Sequence, residues 1–424
     1  MEYYEINGGR RLAGQVVIHG AKNSVLPLLC ATALADAVSV LHNCPSLSDV
    51  EASIAILRHL GCRVTREGTT VTVDASCLSR SDVPDALMRE MRSSIIFLGA
   101  ILARTGEADV SMPGGCELGP RPIDLHLSAL RKLGAGIEQR GGRLRCTGGA
   151  ALRGAEITLT LPSVGATENI MLCACAAEGV TVIRNAAREP EIVDLARFLR
   201  AMGARIQGEG SGTVRIEGGR GTLRGCEHRV IGDRIVCATY LSAVACAGGE
   251  ASLIGAEPEQ LAAVTGVLRD AGAEILATGP DALIIRRDRP LEGGVVVRTS
   301  PYPGFPTDAQ PVVMAALCNA RRSSLFVETM FENRYRHVDE LRRMGADIRV
   351  EDRVAVVGGT ENGLRGTAVT AHDLRGGGAL CVAALGAEGS TILTGLSHIR
   401  RGYASLPEDL RSLGADIALH TDQN

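Results

Sequence analysis

The chain has 424 residues, 45% hydrophobic content and 51 glycines, which is material for two or three packed domains with many tight turns. A net charge of −3, no Trp and only 3% aromatic residues argue against a nucleic-acid partner, which needs cationic stripes and stacking platforms. The 13 cysteines form no CxxC pair and no Cys/His metal spacing, so they are expected to be reduced thiols, mostly packed as small hydrophobes, with no metal bound.

At the N-terminus MEYYEINGG lacks a basic region followed by an apolar run, so no signal peptide is expected. GAKN (20–23) then leads into an apolar helix, a setting that suits an anion because free backbone N–H groups point outward there. Asn23 could equally cap that helix. Lys22 carries a second signal: only Lys22 and Lys132 are Lys among 45 basic residues. A position that resists an otherwise general preference for Arg needs a compact ammonium.

CRVTREGTTVTVDAS (62–76) reads as a β pair, and MRSS (91–94) sets Arg92 before the apolar stretch 95–103, which is too short to span a bilayer. The expected location is the cytoplasm, with no membrane partner. PGGCELGPRPIDLH (113–126) places Cys116 in an exposed Gly/Pro loop, with Arg121 close enough to lower a thiol pKa. The alternative for Cys116 is an inert structural thiol.

Further on, ENIMLCACAAEG (168–179) and GALCVAALGAEG (378–389) read as buried helices, each followed by a strand, VTVIRN (180–185) and STILTG (390–395). The Pro-rich TSPYPGFPTDAQ (299–310) brings Asp308 to the front of a helix, where it could do no more than complement the helix dipole. AHDLRGGG (371–378) holds Asp373 and Arg375, and HIRRGY (398–403) holds Arg400 and Arg401. Each Arg alone could be a solvated charge. Together with Lys22 they match a substrate bearing phosphate and carboxylate groups.

One pattern recurs through all of this: LRHLGCRV, LRKLGAGI, LRAMGARI, LRDAGAEI, LRRMGADI and LRSLGADI. Its glycines fall at 61, 134, 203, 272, 345 and 414, with spacings of 73, 69, 69, 73 and 69. The restart of the rhythm at the fourth copy predicts two domains of three units each. Each Gly is expected to end an amphipathic helix in a left-handed conformation.

The strings GAKNSVLPLLCATAL, MRSSIIFLGA, PGGCELGPRPIDLH, PSVGATENIM, NAAREPEIVDLA, FPTDAQ, FENRYRHV, DLRGG and HIRRGY resemble the UDP-N-acetylglucosamine 1-carboxyvinyltransferases, the MurA-type enolpyruvyl transferases, over essentially the whole chain. The resemblance implies an α/β (α+β) fold of two inside-out α/β barrels, each of three βαβαββ-like repeats. One domain would span 22–231; the other would combine 1–21 with 232–424. The implied reaction adds the 3′-hydroxyl of UDP-N-acetylglucosamine to phosphoenolpyruvate and expels phosphate, at the entry to peptidoglycan synthesis. No cofactor and no particular oligomer is implied.

By the same resemblance Cys116 is the acid and Asp308 the base. Lys22, Asn23, Arg121, Arg375 and Arg401 would hold phosphoenolpyruvate, with Lys22 and Arg401 counted as catalytic. Asn23, Arg92, Arg121, Pro122, Ile123, Asp124, Leu125, Ser163, Val164, Gly165, Asp308 and Met330 would line the UDP-sugar site. The epoxide fosfomycin is an expected alkylator of Cys116. Three positions depart from the family pattern: Val236 where Glu is usual, and Thr160 and Arg400 where Asp is usual. They would suit a diverged paralogue of weak activity or one with a UDP-sugar-binding regulatory role. The sister transferase acting on shikimate 3-phosphate is the other alternative, and it has no loop of the PGGC kind.

Overall fold

The computed structural model describes residues 2–112, 123–219, 221, 223–360 and 363–421. They form two compact units, one ending at His19 and resuming at Gly232, the other running from Gly20 to Ile231. The second carries Lys22 and is called the lysine unit below; the first carries Asp308 and is called the aspartate unit. Ala21 N–H donates to the Ile231 carbonyl at 2.7 Å, tying the entering and leaving segments of the lysine unit together.

Each unit has its own hydrophobic core. Its centre is made of three apolar helices: Lys22–Thr32, Phe97–Thr105 and Val164–Ala174 in the lysine unit, Arg234–Ala247, Gln310–Leu317 and Leu374–Leu385 in the aspartate unit. These helices are buried nearly all round, as their unbroken apolar stretches predict. Three four-stranded sheets surround each set, and all six sheets share one order: a parallel pair, then two antiparallel steps. Strands such as Thr213–Gly218 alternate exposed and buried residues, so one face meets the helices and the other meets water.

The repeated LRxxG stretches close the amphipathic helices as their glycines predict. Gly61, Gly134, Gly203, Gly272, Gly345 and Gly414 all have positive φ, from +82° to +110°. In every copy the residue after the Gly donates to the carbonyl of the repeated Leu, from Cys62 to Leu57 at 3.0 Å through Ala415 to Leu410 at 3.0 Å. The Gly N–H donates to the carbonyl of the repeated Arg, so each helix ends in a complete Schellman motif. The Arg side chain turns forward: Arg58, Arg200, Arg269, Arg342 and Arg411 each donate to the carbonyl six residues on, in the strand that follows. That bracing accounts for a charge in the motif that helix capping alone leaves unexplained.

The chain exchanges strands where it passes from unit to unit. Leu12–Val17 precedes the Lys22 helix but pairs parallel with Gly249–Ile254. Glu227–Arg229 precedes the Arg234 helix but pairs parallel with Val38–His42. Glu2–Asn7 completes the sheet of Ser390–Thr394 and Asp416–Thr421.

Candidate active site

In the lysine unit, Lys22 opens an eleven-residue helix whose N-cap is Ala21, with no side-chain cap. Asn23 therefore lies inside the first turn, exposed, and is not the cap that the sequence allowed. Lys22 is buried, and its Nζ lies 2.6 Å from Asp49 Oδ2, itself 3% exposed. Asp49 stands in the first turn of Ser48–His59, where an acid is also favoured by the helix dipole. A buried ammonium needs such a partner, since taking an unpaired charge out of water costs several kcal/mol. The start of the Lys22 helix is braced further by Asp194, which accepts from the Ser24 hydroxyl and meets His228 Nε2 at 2.8 Å.

Arg92 begins the turn Arg92–Ile96 ahead of the second inner helix; its side chain lies outside the described atoms. Cys116, Arg121 and Pro122 lie outside the described residues. Ile123 is the buried N-cap of Asp124–Lys132, with Asp124 exposed and Leu125 half-buried on its first turn. Ser163 caps Val164–Ala174, its Oγ accepting from Ala166 N–H at 3.3 Å, with Val164 and Gly165 half-buried beside it.

In the aspartate unit, Asp308 does not cap a helix; Ala309 holds that place. Its carboxylate is clasped by two guanidiniums. Arg334 Nη2 donates to Oδ1 at 2.6 Å, and Arg375 donates to Oδ2 through Nη2 at 3.1 Å and Nε at 3.3 Å. Arg334, 1% exposed, also donates to the Thr307 carbonyl at 3.0 and 2.8 Å. Glu328 holds the adjoining turn, accepting from the Thr307 hydroxyl and from the backbone N–H of Met330 and Phe331. Met330 is 41% exposed.

Arg375 is the second residue of the helix capped by Asp373, which accepts from the N–H of Arg375 and Gly376 at 3.0 and 2.9 Å. Burial works against its charge, but Asp308 and the neighbouring Tyr403 outweigh it, so its pKa rises above the usual arginine value. Its Nη1 is buried and meets no hydrogen-bond partner among the described residues. The three glycines after it let the Arg401 segment pack against helix backbone: a Cβ on Gly378 would meet Tyr403 Oη at 2.4 Å, and one on Gly377 would meet Ile399 Cγ1 at 2.5 Å. Arg401 is half-buried two residues before that tyrosine.

The departures are also placed. Arg400 points to the N-terminal strand, 2.6 Å from Glu2 Oε2. Val236 is fully buried in its helix, and Thr160 is exposed. Residue types alone gave no warning of Asp49, Arg334 or Glu328. Arg334 stands inside the FENRYRHV string, which was the only signal for it. Among the described residues no group of three His, Cys, Asp or Glu could hold a metal, and no helix is long and apolar enough to cross a membrane.

This combination of inner helices, six equivalent sheets and basic loops has relatives. The sequence profile of the EPSP synthase (3-phosphoshikimate 1-carboxyvinyltransferase) family matches residues 6–410, and the chain belongs to that family. A crystal structure of the enolpyruvyl transferase NikO from Streptomyces tendae superposes with a TM-score of 0.88 at 28% identity, covering 100% of this chain and 99% of that one. EPSP synthase from Acinetobacter baumannii, at 20% identity and a TM-score of 0.78 over 100% of both chains, shares the fold. The chain is 52% identical over 417 residues to UDP-N-acetylglucosamine 1-carboxyvinyltransferase 2 of Caldanaerobacter subterraneus subsp. tengcongensis, covering 98% of this chain and 99% of the relative. It is 48% identical over 424 residues to UDP-N-acetylglucosamine 1-carboxyvinyltransferase 1 of Symbiobacterium thermophilum, covering 98% and 95%.

Proposed function

We propose that this chain transfers the enolpyruvyl group of phosphoenolpyruvate to the 3′-hydroxyl of UDP-N-acetylglucosamine with release of phosphate, in the cytoplasm, as the first committed step of peptidoglycan synthesis. The observation that carries the choice of acceptor is the 52% identity, over nearly the full length of both chains, to a relative of that name. The shikimate alternative rests on the family-wide profile and on a likeness of fold at 20% identity. Nothing in the surroundings of Val236, Thr160 or Arg400 favours a purely regulatory role.

In this reading Cys116 S–H gives its proton to carbon 3 of phosphoenolpyruvate while the sugar oxygen bonds to carbon 2. Asp308 takes the hydroxyl proton. Loss of a proton from carbon 3 then re-forms the double bond as the carbon–oxygen bond to phosphate breaks and phosphate leaves. Lys22, Arg121 and Arg401 hold the phosphate, and Arg375 and Arg401 hold the carboxylate. Nη1 of Arg375, which meets no hydrogen-bond partner among the described residues, supports that role, since it offers a buried donor to an anion. Arg334 orients Asp308 as a carboxylate. Asn23 and Arg92 would touch the sugar nucleotide. Ile123, Asp124, Leu125, Ser163, Val164, Gly165, Pro122 and Met330 would line its uridine and diphosphate pocket. These steps call for no cofactor.

The test is phosphate release from phosphoenolpyruvate with either acceptor. Release with UDP-N-acetylglucosamine and none with shikimate 3-phosphate is the expected result. The reverse pattern, or binding of the UDP-sugar with no release, would break the reading.

A further inference from the structure

The string PGGCELGPRPIDLH (113–126) ends on a histidine that the scheme above leaves unused. His126 lies on Asp124–Lys132 and is 8% exposed. Its Nδ1 is 2.9 Å from Asn169 Nδ2. The Asn169 amide, fully buried, is committed on every side: Oδ1 accepts from Gly99 N–H at 2.6 Å, and Nδ2 donates to the Ile95 carbonyl at 2.9 Å. With Oδ1 taken by a backbone N–H, the amide cannot be turned round, so the atom facing His126 is a donor. Nδ1 must then accept, and the ring proton sits on Nε2.

The imidazole lies over Gly165. A Cβ placed there would be 3.1 Å from His126 Cε1 and 3.5 Å from Nε2. Gly165 is the second residue of the eleven-residue helix Val164–Ala174. Ser163 satisfies Ala166 N–H, whereas the N–H groups of Val164 and Gly165 and the Nε2–H of His126 meet no acceptor among the described residues. Three donors thus gather at the positive end of a helix, one of them on a side chain more than nine-tenths buried.

We infer that His126 is a neutral donor, locked in its Nε2–H form by Asn169 as positioning residue, for a phosphate oxygen of the sugar nucleotide's diphosphate at the N-terminus of the Val164–Ala174 helix. This deepens the reading above and rests on it for the ligand. The lock is self-consistent: protonating Nδ1 would set N–H against N–H. Burial alone pushes the ring pKa down to about 4, with no charged group contributing. The donor therefore keeps its form throughout the neutral range.

The tautomer is read directly by long-range ¹H–¹⁵N NMR of the histidine rings. The wild type should show His126 as Nε2–H and resistant to protonation at pH 5.5. Asn169→Asp, which offers Nδ1 an acceptor, should move the proton or charge the ring while far-UV circular dichroism stays unchanged. An Nδ1–H ring, or protonation near pH 6.5 in the wild type, overturns the lock. In titrations, His126→Ala should weaken UDP about tenfold, the scale of one lost hydrogen bond to a charged group, and leave uridine and phosphoenolpyruvate unaffected. Equal loss for uridine, loss confined to phosphoenolpyruvate, no loss at all, or no UDP binding by the wild type would each overturn the donor role. Normal UDP binding without phosphate release from phosphoenolpyruvate would instead break the reaction reading and leave this donor in place.

Discussion

The two units are built from the same repeat, yet they treat the same features differently. In the lysine unit two of the helix-ending glycines are pressed: a Cβ on Gly61 would meet the Cys77 carbonyl oxygen at 2.7 Å, and one on Gly134 would meet that of Ala151 at 2.6 Å. In the aspartate unit the equivalent approaches are 3.6 Å at Gly272, 3.9 Å at Gly345 and 3.5 Å at Gly414. Each unit also buries a histidine whose pKa burial lowers to about 4. His126 is held by Asn169, while neither ring nitrogen of His337 meets a partner among the described residues. The charged groups follow suit: one close pair at Lys22 and Asp49, against a two-arginine clasp on Asp308. A shared backbone thus sets where helix ends fall, and the side chains at those ends decide what each unit can do.

The largest expected effect tests the division of labour between the units. Cys116→Ala and Asp308→Asn should each lower turnover by about 10²–10⁴-fold, the range for a lost general acid or base, with UDP-sugar affinity nearly kept. Thiol alkylation sharpens this. Among the described cysteines only Cys77 is exposed, and burial pushes thiols such as Cys175 up to about 12. Fosfomycin should therefore modify Cys116; peptide mapping that finds the adduct on Cys77 instead would refute the assignment.

Next comes Lys22→Arg, with an expected loss of about a hundredfold in kcat/KM, the scale of one electrostatic contact in a reacting site. The wider guanidinium cannot take the place of an ammonium packed 2.6 Å from Asp49. Lys132→Arg, at an exposed position in the last turn of its helix, should be silent in the same assay.

The glycine contrast predicts a difference in stability. Gly134→Ala carries both left-handed strain and a clash with the Ala151 carbonyl and should cost about 3 kcal/mol; Gly272→Ala carries the strain alone, about 1–2 kcal/mol. Urea denaturation of the two variants measures it, and equal costs would remove the distinction.

The smallest effect at neutral pH is His337→Phe, which removes a ring whose two nitrogens meet no partner among the described residues and should be neutral or slightly stabilising at pH 7. Its folded pKa lies below the usual histidine value because of burial, so the wild type loses stability as pH falls from about 6.5 towards 4 while the variant does not. Near pH 4 the variant should be ahead by about 3 kcal/mol, read as melting temperature against pH. A constant difference across that range would mean that His337 is already charged when folded.

Much of the fold could be read from the chain itself because it is periodic. Six LRxxG copies gave the repeat, and the restarted spacing gave two sets of three. The site was readable only in part, and the reason is distance in sequence. Asp49 on an amphipathic helix looks like any acid near a helix start until Lys22 folds against it. Arg334 is an arginine in a polar loop, and arginines are rarely buried, so nothing local marks it as a fully enclosed partner of Asp308. The His126–Asn169 contact joins residues 43 apart. Conversely, Arg400 looked like a reversed charge beside a ligand, and only its pairing with Glu2 shows where that charge goes.

The strand exchange sets an order of events during synthesis. All the strands of the lysine unit lie between Val38 and Arg229, so its sheets can close as soon as that stretch has left the ribosome. The opening strands of the chain cannot. Leu12–Val17 waits for Gly249–Ile254, and Glu2–Asn7 waits for Ser390–Thr394 and Asp416–Thr421. Each nascent molecule therefore carries both strands unpaired until Gly249–Ile254 is made, and Glu2–Asn7 for longer still, with edges open to wrong partners. The Lys22 unit should be protease-resistant on stalled chains well before the other, which gains protection only once Asp416–Thr421 has emerged.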